Sequence, residues 1–191
     1  PFEGVLTAGR TDRGIADEIF ARYGLVDTPL ERLRFMQTYL DRLPGVLESL
    51  PGALLPGVLE LLDQLHRAPD VYLSLLTGNY VEGAWIKLRH FGIDHYFETG
   101  GFGDDHAHRD DVARLAADNV RGHLKRELPD GSTCVIGDTP ADIRCARAIN
   151  ARAVAVATGM YSSEQLQPHA PDHLFEDLRD TVLVARSLMG L

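Results

Sequence analysis

Two carboxylates four residues apart carry the sharpest chemical signal in this sequence. They stand in Gly137-Asp138-Thr139-Pro140-Ala141-Asp142, directly after an apolar run at 133–136. An Asp at the tip of a strand projects into whatever site the strand end borders. A hard divalent cation such as magnesium takes oxygen ligands of this kind and keeps several waters. The same two acids also serve as a helix cap and a first-turn acid that complements the helix dipole, with Pro140 suited to the first turn. A second group, Thr77-Gly78-Asn79, follows the apolar run 71–76 and offers a hydroxyl, a backbone N–H and a side-chain amide. Placed before a helix, that is a cradle for an anion. An ordinary turn with an N-cap uses the same residue types. Thr158-Gly159 follow a third run at 153–157.

Elements of the right kind surround these groups. Residues 11–50 have a helical pattern, with Ile15, Ile19 and Phe20 on one face, Asp12 as its N-cap and Pro29 opening a second helix. Six Pro and Gly residues between Pro44 and Gly57 predict a hinge. Beyond it, helices at 58–67, 80–91, 110–128, 141–149 and 178–188 alternate with short apolar strands at 71–76, 96–99, 133–136 and 153–157. That alternation predicts βαβ units and a parallel sheet. In such an α/β fold ligands bind beyond the C-terminal ends of the strands, where the two groups above fall.

Taken together, the strand followed by Thr77-Gly78-Asn79, the strand followed by Gly137-Asp138-Thr139-Pro140-Ala141-Asp142, and their order and separation resemble the haloacid dehalogenase-like superfamily. The helical start resembles the α-helical cap of its phosphoglycolate phosphatase-like members. The resemblance implies an α/β fold with a Rossmann-like parallel sheet core, at 51–191, and a small α-helical cap, at 1–50. It implies that Thr77 and the Gly78 N–H bind a transferring phosphoryl group with Asn79 nearby. Asp138 coordinates magnesium, and Asp142 orients Asp138 or a metal-bound water. The family's third motif, a cation that neutralises phosphoryl oxygens, falls on Arg109, although Asp110 rather than Pro follows it. Lys87 is the rival, set too far along the preceding helix to reach the strand tips. Ala8-Gly9-Arg10-Thr11-Asp12 looks like the family's cap loop, with Arg10 reading a substrate carboxylate or second phosphate in the company of Thr11 and Asp12. A surface Arg beside a helix cap is the plainer reading.

The superfamily's first motif is a strand ending in Asp-x-Asp, whose first Asp is the nucleophile and whose second is the acid–base group. No Asp-x-Asp occurs in the 191 residues. The expectation is that this strand precedes Pro1 and lies at the sheet centre, between the strands at 71–76 and 133–136, so that the core at 51–191 lacks its first strand.

Composition narrows the partners. The formal net charge is -9 and no Lys/Arg cluster stands out, which argues against nucleic acid or an anionic membrane. No apolar run approaches the roughly 20 residues that cross a bilayer. Cys134 and Cys145 fit neither a zinc site nor a redox pair and read as buried thiols of a cytoplasmic protein. Asp104, Asp105, His106 and His108 match no metal-ligand spacing and read as a solvated loop. The expected activity is magnesium-dependent hydrolysis of a small phosphorylated metabolite through an aspartyl-phosphate, with oligomeric state open. A 2-haloacid dehalogenase, a phosphomutase and a non-catalytic phospho-ligand binder are the alternatives; Asp138 weighs against the first, whose chemistry needs no metal.

Overall fold

The computed structural model describes residues 4–190. In chain order the elements are α1 (Asp12–Tyr23), α2 (Pro29–Ser49), α3 (Val58–Arg67), β1 (Ser74–Leu76), α4 (Val81–His90), a 3-10 turn (Asp94–Tyr96), β2 (Thr99–Gly101), α5 (Arg109–Leu124), β3 (Cys134–Gly137), α6 (Pro140–Ala148), β4 (Arg152–Val156), α7 (Ser163–Leu166), a second 3-10 turn (Gln167–His169), β5 (His173–Phe175) and α8 (Thr181–Met189). Every strand pairing is parallel, the arrangement that helical crossovers produce.

The strands form two separate groups, β1 with β2 and β3-β4-β5 in order. Among the described residues β1 and β3 each keep one unpaired edge. Side chains join what the backbone does not. On one face Ile143 and Ala146 of α6 and Leu166 of α7 pack on Val135, Ala153 and Ala155, and Leu76 of β1 joins them. On the other face Leu61 and Leu65 of α3 meet Val184, Ala185 and Leu188 of α8 over Val154, with Val71 and Leu73 alongside. Helix α5 lies on β1 and β2 and also packs against α6. The result is a helix–sheet–helix sandwich whose middle layer is interrupted.

Local chemistry sets the helix ends. Thr11, in extended conformation, caps α1 by accepting the Gly14 N–H at 3.0 Å, and Gly24 closes the helix at φ 59°. Asp12, expected as the cap, is instead the first helical residue. The cap position needs an extended backbone, and Thr11 supplies it. Thr28 caps α2, with Pro29 in its first turn. The hinge expected from Pro44 onward begins later, because α2 continues through Pro44 to Ser49. Pro44 costs the helix one backbone bond, to the Leu40 carbonyl. Leu40 and Leu43 are buried on the side facing α4, and their burial holds the helix together across that position. Residues 50–57 remain as the irregular connection. Gly57 ends it at φ 86°, where a Cβ would meet the Leu178 carbonyl. The sequence reading missed β5 and α7 altogether.

Leu166 is fully buried at the centre of one layer. Leu166→Ala should lower unfolding free energy by about 2–5 kcal/mol, read from denaturant unfolding of the full-length protein. A loss under 1 kcal/mol would show that this layer is not close-packed.

Candidate active site

Parallel strands bring their C-terminal ends to one side, so the segments after β1, β3 and β4 share an edge. The firmest geometry there is an ion pair. Arg109, the first residue of α5, bonds through its guanidinium to Asp142 in the first turn of α6, and the two side chains are only 13% and 10% exposed. The second Asp142 oxygen accepts the Thr139 N–H at 3.1 Å and the Thr139 hydroxyl at 2.7 Å. The Thr139 hydroxyl in turn accepts the Asp142 N–H, completing a capping box. Asp142 is thereby held on both oxygens, which fixes Arg109 in turn. The Arg109 Nε is buried and has no acceptor among the described residues, a costly state for a donor out of water.

Asp138 sits at the tip of β3, partly buried. Burial pushes its carboxyl above the usual range and neighbouring Asp142 adds to that, while Arg109 pulls the other way. Gly159, just beyond β4, lies so close that a Cβ there would meet the Asp138 carboxylate. A partly buried, electrostatically disfavoured carboxylate at a strand tip has the donor chemistry that a divalent cation satisfies. Asp138 therefore fits as one oxygen ligand. Among the described residues no group of three His, Cys, Asp or Glu side chains is close enough to hold a metal.

A second set forms after β1. The Thr77 hydroxyl accepts the Asn79 N–H at 3.2 Å, shaping the turn. The Asn79 amide donates to both Asp12 oxygens at 3.3 and 3.4 Å, and the Tyr80 N–H donates to Asp12 at 2.8 Å. The Asp12 N–H returns a bond to the Gly78 carbonyl at 2.6 Å. Thr11, 0% exposed, donates its hydroxyl to the Ala107 carbonyl at 3.1 Å. Gly78 is glycine because the Arg10 carbonyl occupies the place of its Cβ. These bonds make residues 10–12 a fixed part of the strand-end surface. Arg10 turns to Glu18 and to the carbonyls of Gly14 and Leu6.

Arg109, Asp138 and Asp142 thus come together, and Thr77, Gly78, Asn79 and Asp12 come together separately. Residues 9–11 bridge the two sets, since Gly9 lies against Thr139 and Ala141 while Arg10 lies against Gly78. No described cavity is lined by Thr77, Arg109 and Asp138 at once. A cleft of about 600 Å³ includes Arg109, Arg10, Glu18 and Arg144. A larger cavity of about 1180 Å³ lies between α1, α2 and α4, with Asp12, Asn79, Tyr80 and Lys87 among its walls. Burial, followed by the Asp12 charge, pushes the Tyr39 and Tyr80 phenols up to about 12, so both line it as neutral groups.

Lys87 corrects one expectation. It reaches the strand-end turn after all, donating to the Asn79 side-chain oxygen at 3.0 Å. Lys87 lies three and four residues after Ala84 and Gly83, both buried, and so shares the inward face of α4, a placement that only the packing of α4 reveals. Asp104 lies in the loop after β2, as expected, and its carboxylate accepts the Val81 N–H at 2.9 Å at the start of α4.

The fold is a parallel α/β fold with polar groups gathered at the strand ends. Residues 2–147 match the haloacid dehalogenase-like hydrolase family, to which the chain belongs. It is 26% identical over 154 residues to the probable phosphatase IndB of Dickeya dadantii, covering 76% of this chain and 62% of that protein. It is 27% identical over 172 residues to phosphoglycolate phosphatase of Synechococcus elongatus, covering 90% and 76%. Among solved structures, a hydrolase from Pseudomonas syringae superposes with a TM-score of 0.70 at 20% identity, covering 95% of this chain and 80% of that one. A predicted phosphoglycolate phosphatase from Haemophilus somnus gives 0.61 at 21%, covering 89% and 73%. The chain thus spans less than two thirds of the first of these relatives, and the structural likeness is one of fold. No helix among the described residues is long and apolar enough to cross a membrane.

Arg109→Met strands the Asp142 carboxylate, and should lower stability by about 3–5 kcal/mol in chemical denaturation. The double variant with Asp142→Asn should lose less than that single change. Additive losses would show that the two side chains do not depend on each other.

Proposed function

We propose that this chain is the larger part of a magnesium-dependent phosphomonoesterase that hydrolyses a small phosphorylated metabolite, phosphoglycolate being the first to test. The observation that carries the reading is the Arg109–Asp142 pair beside Asp138, set at the strand ends where the sheet is interrupted.

In this reading Arg109 faces the phosphoryl oxygens and offsets their charge, which is most of what such transfer requires. Asp142 keeps Arg109 in position. Thr77 and the turn through Gly78 and Asn79 hold the transferring group from the other side. Asp138 holds magnesium, which supplies further charge compensation on those oxygens when bound. Arg10, Thr11 and Asp12 shape the substrate side of the site, the last two by fixing the loop.

The nucleophile is proposed to lie on a strand that pairs with the free edges of β1 and β3 and ends in Asp-x-Asp. The unpaired edges of β1 and β3 carry free backbone donors and acceptors that such a strand would pair with. Its first carboxylate attacks phosphorus and the alcohol leaves, protonated by the second. That second group then takes a proton from the water that hydrolyses the aspartyl-phosphate. The helical segment excludes bulk water during these steps.

The full-length protein should hydrolyse p-nitrophenyl phosphate, lose that activity with EDTA and regain it with magnesium. Asp138→Asn should lower kcat/KM at least about 100-fold with an unchanged circular dichroism spectrum. Unchanged turnover in that variant would remove Asp138 from the metal site, and EDTA-resistant turnover would remove the metal.

A further inference from the structure

The large cavity between α1, α2 and α4 is mostly apolar, and its cations differ in what they already hold. Arg10 pairs with Glu18, and Arg34 pairs with Glu31. Arg42 stands exposed at the rim. Lys87 is different. It is partly buried, it makes no ion pair within 4 Å among the described residues, and its one described acceptor is the neutral Asn79 amide oxygen at 3.0 Å. An ammonium has three donors, so two remain uncommitted inside the cavity wall.

Burying a cation without a counter-charge is unfavourable. Desolvation accordingly depresses the Lys87 pKa, with only Asp12 opposing it. Asp12 does not relieve the cost directly, because its carboxylate is already engaged by the Tyr80 N–H and the Asn79 amide. The pattern is a partly buried cation in the cavity wall without an ion-pair partner.

Its location says which anion. Asn79 links Lys87 to the turn that begins at Thr77, so the ammonium stands one side chain away from the proposed phosphoryl cradle. The cavity leads from that turn toward the cap helices. Lys87 is the cation of the cavity wall that is bonded to the turn carrying Thr77, through Asn79.

We propose that Lys87 is a specificity residue which binds an anionic group, carboxylate or second phosphate, on the leaving-group side of a compact phosphomonoester. The role given to Arg10 in the sequence reading passes to Lys87, since the Arg10 guanidinium is taken up by Glu18, Gly14 and Leu6. The inference rests on the phosphomonoesterase reading and deepens it by naming the substrate class as phosphorylated small acids.

The test uses the full-length protein and a matched pair of substrates, 2-phosphoglycolate and ethyl phosphate, which differ in the carboxylate. Wild type should prefer 2-phosphoglycolate in kcat/KM by roughly 10- to 100-fold, the range of one charge-assisted contact. In Lys87→Met that ratio should fall to near one, mainly through KM for 2-phosphoglycolate, and Lys87→Arg should restore part of it. Reading a ratio within one variant cancels any loss of folded protein. 3-Phosphoglycerate and glycerol 1,3-bisphosphate, run in parallel, separate a carboxylate from a second phosphate as the preferred anion. A wild type without preference for any of these acids over ethyl phosphate overturns the inference. So does a Lys87→Met ratio equal to that of wild type, which would leave Lys87 as a mere holder of Asn79. A wild type that hydrolyses none of the esters with magnesium overturns the underlying phosphatase reading instead.

Discussion

One ion pair holds the strand-end side of this molecule together. Arg109 opens α5, which lies on β1 and β2, and Asp142 opens α6, which lies on β3 and β4. The two strand groups share no backbone hydrogen bonds. Elsewhere they are joined by apolar packing, which is non-directional and sets no fixed distance between loops. At the strand ends the Arg109–Asp142 contact, with its near-complete burial and the capping box behind Asp142, sets that distance. Ion pairs of this kind earn little net stability, but breaking one exposes a buried charge. Its value here is positional: it places a cation and the Asp138 carboxylate at the mouth of the interruption.

The rest of the proposed site is organised by the loop at residues 9–12. Thr11 is both the N-cap of α1 and a donor to the Ala107 carbonyl, so the same hydroxyl starts α1 and ties it to the segment before α5. Asp12 does the complementary work on the β1 side, gathering N–H groups from Asn79 and Tyr80. The helical segment is therefore anchored where it touches the strand ends. Any opening motion must be taken up elsewhere, and residues 50–57, irregular and bounded by Gly57, are where the chain has the freedom for it.

Much of this was legible in the sequence. Short apolar runs followed by small polar residues gave the parallel strands and the order of the strand-end groups, because buried strands must be apolar and loops at a shared edge must not be. The capping signals were readable too, although Thr11 and Asp12 were exchanged: both residue types cap helices, and only backbone conformation separates them. Pro44 misled because a local helix cost was set against nothing, whereas Leu40 and Leu43 are buried by α4 from another part of the chain. Strand β5 and helix α7 are too short to show a period. Lys87 ranks behind Arg109 in the sequence because its place in mid-helix says nothing of its reach. Its reach depends on α4 starting directly after the Asn79 turn with its inward face toward α2, which is tertiary information.

In the proposed function the nucleophile comes from a strand completing the sheet between β1 and β3, while the acids in these 191 residues hold and orient. Peptide mapping of a trapped phosphoryl adduct tests this most directly. The full-length protein would be incubated with substrate, quenched in acid, reduced with borohydride and digested for mass spectrometry. The expected product is a modified Asp on a peptide outside these 191 residues, with Asp138 and Asp142 unmodified. An adduct on Asp138 or Asp142 would contradict it.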